Sequence, residues 1–231
     1  MPSKLFPKAK SSLTRLKTIG RDNSANALVE FAFAAPLVLG MGLLGTETAF
    51  YAITHMQISQ IAMQVADSAS RVGETDVLTT KRVYEDDING ALVGAEKLGA
   101  NYDIYGRGRI ILSSLQRNSD SGQWIAWQRC RGAKNVKSSY GDEGDGRTGK
   151  SFPGMGENGN LITASSGTAV MFVEVSYTYE PITPFEFFAS TDLNYTAAFN
   201  VRDNRDLTQL YQTNPVSPVA SCGKFSAARP S

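Results

Sequence analysis

The sequence predicts an α+β protein in which one long N-terminal helix crosses a membrane and a small antiparallel-sheet domain follows it. Three observations lead to this fold class. The first 21 residues carry six basic side chains and no acid. An apolar stretch follows almost at once, and the helical spacing of apolar residues continues past its end. Further along the chain the apolar pattern changes to the alternation that is typical of strands.

Length and charge narrow the classes of function. The 231 residues accommodate one ordinary domain plus an anchor, or two small domains. The net charge of +1 offers no argument for a nucleic-acid partner, and we predict none. His55 is the only histidine, and neither a Ser/His/Asp set nor a GxSxG motif occurs, so we predict no catalytic residues. Because no CxxC motif or His/Cys cluster occurs, we predict no metal site and no cofactor.

The apolar stretch runs from Ala27 to Ile53, and its only charges are Glu30 and Glu47. The charge-free part from Phe31 to Thr46 would be about 24 Å long as a helix. A hydrocarbon core is about 30 Å thick, so the flanking residues must complete the span. Glu30 then lies near the cytoplasmic edge of the bilayer, and Glu47 is predicted to lie at the opposite interface.

A cleaved secretory signal and a buried core helix are the alternatives to a membrane helix. Helical patterning continues beyond the apolar run, which disfavours removal at its end. Pro36 and three glycines are unfavourable in a soluble helix and frequent in membrane helices. The basic end stays in the cytoplasm, so the chain after about residue 53 faces outward.

The stretch from Ser24 to Arg71 resembles the TadE-like family of tight-adherence (Flp-type) pilus systems. That family shows a short basic leader, a few small or apolar residues, Val-Glu-Phe, a proline within two helical turns and, after the apolar run, an alanine-rich helix end. Here Val29-Glu30-Phe31, Pro36 and the segment from Ala62 to Arg71 match in order and spacing. The resemblance covers about a fifth of the chain.

The resemblance implies a pilin-like fold and the role of a minor pseudopilin in a tight-adherence pilus assembly and secretion system. It places the protein in a bacterial inner membrane, with the N-terminus cytoplasmic and the C-terminal domain periplasmic. The implied partners are a prepilin peptidase, other pilin-like subunits, the pilus assembly machinery and the lipid bilayer. No nucleotide is expected.

Family members of this type are cut on the cytoplasmic side so that the glutamate becomes the fifth mature residue. On this chain the cut falls between Ala25 and Asn26. Family members usually carry glycine before the cut, so an unprocessed, membrane-anchored periplasmic scaffold or binding protein stays the alternative. Cleavage creates an ammonium group at Asn26. We hypothesise that Glu30 of a neighbouring subunit pairs with it, because each charge alone is costly in an apolar bundle.

Pro36 removes one helix hydrogen bond. It is either a tolerated membrane proline or a point where the helix melts locally when subunits pack. The long helix should continue to about Arg71, because apolar residues recur at helical spacing through Ile58, Ile61, Ala62, Val65, Ala69 and Val72. Gly73 is a plausible stop, and a second helix is predicted from Thr79 to Leu98.

Four strands are predicted in the outer part. They are Arg109–Leu115, Gln123–Arg131, Ala169–Tyr179 and Leu193–Arg202. One face of the third strand should carry Met171, Val173, Val175, Tyr177 and Tyr179. A disulfide between Cys130 and Cys222 is allowed outside the cytoplasm, and two unpaired thiols are the alternative.

The predicted organisation has four parts. They are a leader over residues 1–25, a transmembrane and spine helix over 26–72, a periplasmic α+β domain over 73–206 with a flexible loop over 132–168, and a tail over 207–231. The tail is expected to be loose unless Cys222 ties it to Cys130. Residues 144–151 fit the phosphate-loop pattern GxxxxGK[ST], but a strand before them and a helix after them are not predicted. We therefore interpret them as part of a glycine-rich loop.

Overall fold

The computed structural model describes residues 23–74, 80–157, 159–182 and 190–230. Most of the predicted leader, residues 1–22, lies outside the described residues. The elements in chain order are α1 (Asn23–Arg71), α2 (Glu85–Leu98), a short 3₁₀ turn (Ala100–Tyr102), β1 (Gly108–Arg117), β2 (Gln123–Arg131), β3 (Ala169–Tyr179) and β4 (Thr191–Asn200). The strands form one antiparallel sheet in the order β2-β1-β3-β4. This confirms the predicted α+β class and its pilin-like architecture.

The chain divides into two compact units, and the division falls inside α1 after Ala49. The first unit contains the apolar part of α1. Pro36 lies inside this helix without ending it. The hydroxyl groups of Thr46 and Thr48 donate to the carbonyl oxygens of Gly42 and Leu44, four residues earlier, at 2.8 and 2.9 Å. These bonds satisfy both hydroxyls within the helix, as an apolar environment requires.

The second unit has its main core between helices and sheet. The last turns of α1 bury Ile58, Ile61, Ala62, Val65, Ala66 and Ala69, and these pack with residues of α2 and of one sheet face. The predicted face of β3 lies in this core, since Met171, Val173, Val175, Tyr177 and Tyr179 all belong to it. A smaller cluster covers the other sheet face, where Val170 and Phe172 pack with Met155. Both faces of β3 are therefore buried.

Element bounds differ from prediction where local signals were weak. The second helix begins at Glu85, later than the predicted Thr79. Tyr84 is extended, and its backbone N–H donates to the carboxylate of Asp87 at 2.9 Å, which fixes the helix start. The first strand is longer than predicted at both ends, and the last strand begins two residues earlier and ends two residues earlier than predicted.

The C-terminal end of α1 is closed by basic side chains from elsewhere in the chain. The buried guanidinium of Arg205 donates to the carbonyl oxygens of Ala69 and Ser70. The ammonium of Lys81 donates to the carbonyl oxygen of Arg71 at 2.6 Å. Carbonyl oxygens in the last turn of a helix have no hydrogen-bond donor within the helix. Cations there are also attracted to the negative end of the helix dipole.

Candidate assembly surface

The residues predicted for processing and assembly lie at the start of α1. The peptide bond between Ala25 and Asn26 falls within the first turn of this helix, which begins at Asn23. Val29, Glu30 and Phe31 are all exposed, Phe31 with 69% of its surface. Because Asn26 and Glu30 are four residues apart, they share one helix face, and one neighbouring helix can contact both.

By length and composition, α1 contains an apolar window of 18 residues that is able to cross a membrane. Its mean hydropathy is 2.0, and none of the window is buried. Exposed large apolar side chains recur all around the helix between Leu28 and Leu44. In a helix, apolar surface on every side is typical of burial in lipid or among other helices. The window therefore indicates membrane anchoring.

Glu47 is predicted to lie at a bilayer interface, and the structure adds that its side chain is buried. Its exposed fraction is 1%, and the residue interacts with at least one partner. A carboxylate this deeply buried requires such an interaction, because an unpaired buried charge is very costly. Sequence reasoning missed this burial, since hydropathy around Glu47 does not distinguish a buried acid from an interfacial one.

A second surface lies on the part of α1 that belongs to the folded domain. There, a groove of about 490 Å³ runs along the helix, and the core residue Ile61 forms its apolar floor. Its α1 wall carries Met63 and three glutamines, Gln57, Gln60 and Gln64, and its other wall carries Leu98 and Phe199. Met63 and Leu98 are about half exposed. Flexible thioether and amide side chains around an apolar floor suit contact with another helix.

Two arginines of β2 hold α2 against the sheet and so fix the Leu98 wall. Arg129 pairs with Glu85 and, at 3.0 Å, with Glu143. Burial opposes its charged form, but the hydrogen bonds and charges of these acids outweigh it and raise the pKa of Arg129. Arg131 pairs with Glu96 at 3.0 Å. The hydrogen bond from Arg131 lowers the pKa of Glu96.

The C-terminal segment is docked on the edge of β2. Cys130 and Cys222 form a disulfide, and the backbone N–H of Cys130 donates to the carbonyl oxygen of Ala220 at 2.8 Å. Arg109 adds hydrogen bonds to the carbonyl oxygens of Cys222 and Lys224. Disulfides form and persist in oxidising compartments, so the bond suggests that this domain is extracytoplasmic.

Residues 144–151, which match the phosphate-loop letters, have a different geometry. The backbone N–H of Gly149 donates to the carboxylate of Asp120 at 2.7 Å, and Asn118 donates to the carbonyl oxygens of Gly146 and Gly149. The residues that follow, 152–154, are not helical. A phosphate loop needs free amides at a helix N-terminus, and this loop instead braces the β1–β2 hairpin.

Comparison with known proteins finds no matching family model, no matching curated protein and no matching solved structure. What the fold itself establishes is a pilin-like architecture, with an apolar N-terminal helix whose later turns pack on a four-stranded antiparallel sheet.

Proposed function

We propose that this chain is a minor pseudopilin-like component of a tight-adherence pilus assembly and secretion system of the TadE-like type. It is anchored in a bacterial inner membrane, with its N-terminus in the cytoplasm and its disulfide-bonded domain in the periplasm. It acts by helix packing and protein–protein contacts and carries out no reaction of its own.

One observation supports this proposal most. A single helix of 49 residues combines an exposed apolar part with a part that forms the core of a folded domain. A membrane span alone needs only about 20 residues. A laterally assembling subunit needs a span that is joined directly to its domain, and one continuous helix supplies that connection.

Glu30 and Asn26 supply the proposed register between subunits. After cleavage, the ammonium of Asn26 is positive and Glu30 is negative, and both lie in the first turns of an apolar helix. Each charge is costly in an apolar bundle unless it is paired with an opposite charge from a neighbour. If one helix slides along its neighbour by a single turn, the ammonium and the carboxylate separate. Pairing therefore selects a single register between the two helices.

The groove on α1 is the proposed lateral contact within the folded domain. Its apolar floor and its half-exposed Met63 and Leu98 would be covered by a neighbouring pilin-like helix. Arginine at Met63 or Leu98 introduces a charge at this contact, so Met63→Arg should reduce assembly and leave the domain folded.

The second candidate is an unprocessed periplasmic scaffold or binding protein anchored by the same helix. Ala25, which stands where related sequences usually carry glycine, favours this candidate. Mass spectrometry of the membrane form decides between them. A mature N-terminus at Asn26 that depends on a prepilin peptidase supports the pseudopilin, and a chain that keeps its leader supports the scaffold.

The role of Glu30 is tested by Glu30→Gln, with Glu157→Gln in an exposed loop as the matched control. We expect Glu30→Gln to be cleaved but to lose pilus output, whereas Glu157→Gln should behave as the wild type. Pilus output unchanged in Glu30→Gln would mean that the carboxylate does not pair between subunits.

A further inference from the structure

A separate cavity lies on the sheet face that points away from α1 and α2. It has a volume of about 330 Å³ and is bounded by β3, β4 and the beginning of the 132–168 segment. Its polar lining includes Glu174, Ser176, Asn194, Thr196, Tyr140 and Lys137. Small-molecule pockets begin at about 300 Å³, so this cavity has room for a ligand of one or two rings.

Glu174 is the buried acid of the cavity lining, and it is 8% exposed on a central strand. Its oxygens accept hydrogen bonds from the hydroxyl of Ser138 at 2.6 Å and the backbone N–H of Ser139 at 2.8 Å. Within the described part of the chain it forms no ion pair. Burial raises its pKa. A carboxyl group with two such bonds still has acceptor capacity to offer to a ligand.

Charges of both signs surround the cavity. Lys137 is exposed at its rim, and the guanidinium of Arg109 lies buried beside it, bonded to three backbone carbonyls. Arg109 and Glu174 do not pair, although they lie on adjacent strands two residues out of register. A small ion of either sign would therefore meet a like charge, whereas a neutral ligand with many hydroxyl groups would find both donors and acceptors.

The remaining lining residues fit a ligand of that kind. Asn194, Thr196 and Ser176 offer short polar groups that donate and accept. The ring of Tyr140 is held edge-on against Phe172, with centroids 5.2 Å apart, so it forms a fixed aromatic wall. Aromatic walls and hydroxyl or amide groups together complement the apolar faces and polar edges of a sugar ring.

We infer that this cavity binds a hexopyranose unit, with Glu174 accepting from its hydroxyl groups, Asn194 and Thr196 bonding its edge and Tyr140 contacting its face. This binding site is independent of the proposed role of the helix in assembly. It makes the outer face of the sheet a recognition surface and assigns a ligand class to its buried acid.

The experiment is saturation-transfer NMR on the full chain in lipid nanodiscs. The probes are D-glucose, D-galactose and N-acetyl-D-glucosamine, each at millimolar concentration, with acetate and methylammonium as charged comparisons. We expect saturation transfer to at least one sugar. Glu174→Gln and Thr196→Val should each weaken binding of that sugar, Glu174→Gln by about tenfold, because a neutral amide replaces one of the two carboxyl oxygens that accept hydrogen bonds. Glu180→Gln, at an exposed acid outside the cavity lining, should bind as the wild type does.

Tryptophan fluorescence on heating checks that each variant is folded, since both tryptophans lie in β2. Three results would overturn the inference. They are no transfer to any of the three sugars, sugar binding that neither cavity variant weakens, or binding of acetate or methylammonium in place of the sugars. None of these results bears on cleavage or pilus output, so the two proposals succeed or fail separately.

Discussion

The two parts of α1 contain similar residues in opposite environments. Between Asn26 and Ala49, Leu37 and Phe33 are about 70% exposed, whereas Ile58 and Ile61, a few turns later, are fully buried. The hydrophobic effect scales with apolar area removed from water, so both parts must be covered. The domain covers the later part with its own sheet. The early part needs lipid or other helices, which makes it the part that defines where the protein resides.

The largest expected effect comes from placing charges in the early part. The double substitution Leu39→Arg and Leu43→Arg should abolish membrane integration, because each arginine at the middle of a span costs about 2.5–3.5 kcal/mol. Carbonate extraction of membranes measures the integrated fraction. The matched control, Gln60→Arg with Gln64→Arg on the exposed face of the later part, should stay integrated. Equal loss in both pairs would show that the two parts do not differ in environment.

Loss of the disulfide should have the next largest effect, and only on the domain. Cys130 and Cys222 are 92 residues apart in sequence, and a cross-link over such a length stabilises a fold by about 2–5 kcal/mol. Cys130→Ser with Cys222→Ser should lower the thermal midpoint seen by tryptophan fluorescence. Reductant should lower the wild-type midpoint similarly and leave the double variant unchanged. Membrane integration should be unaffected, and a change there would contradict the separation of roles.

A matched pair of leucines compares burial directly. Leu112 is fully buried in β1, and Leu37 is exposed in the early part of α1. Leu112→Ala should destabilise the domain by about 2–5 kcal/mol, because it removes buried methyl groups and leaves a cavity. Leu37→Ala should leave the unfolding transition in urea unchanged. A similar shift for both would mean that the early part contributes to the domain's stability.

The smallest effect concerns the end of α1. Arg205→Gln removes donors from the carbonyl oxygens of Ala69 and Ser70 and should cost about 1–3 kcal/mol of domain stability. Arg71→Gln breaks only an exposed pair with Asp67 and should cost under about 1 kcal/mol. Urea unfolding of both variants checks the order. If Arg71→Gln proved the more damaging, the buried capping of α1 would be unimportant.

Features that depend on a pattern within one segment of the sequence were predicted more accurately than features that depend on contacts between segments. The Met171-to-Tyr179 face of β3 was predicted correctly because alternation within eleven residues specifies it. The predicted start of α2 lay several residues too early. The helical spacing of apolar residues extends upstream of Tyr84, whose backbone is extended and ends the helix there. The groove was missed entirely. Its walls, Met63, Leu98 and Phe199, come from three segments, and no pattern in the sequence relates them. The roles of Ala25, Asn26 and Glu30 stay predictions.

The sequence by itself determined the long helix, its apolar early part and the change to strands, because periods of 3.6 and 2 residues are local properties of the chain. Only the tertiary structure decided the strand order β2-β1-β3-β4, the docking of the tail through Cys222 and the placement of Arg205 on the end of α1. The last two of these contacts join residues 92 and 136 positions apart. They depend on which buried surfaces fit together, and that fit exists only after the chain has folded.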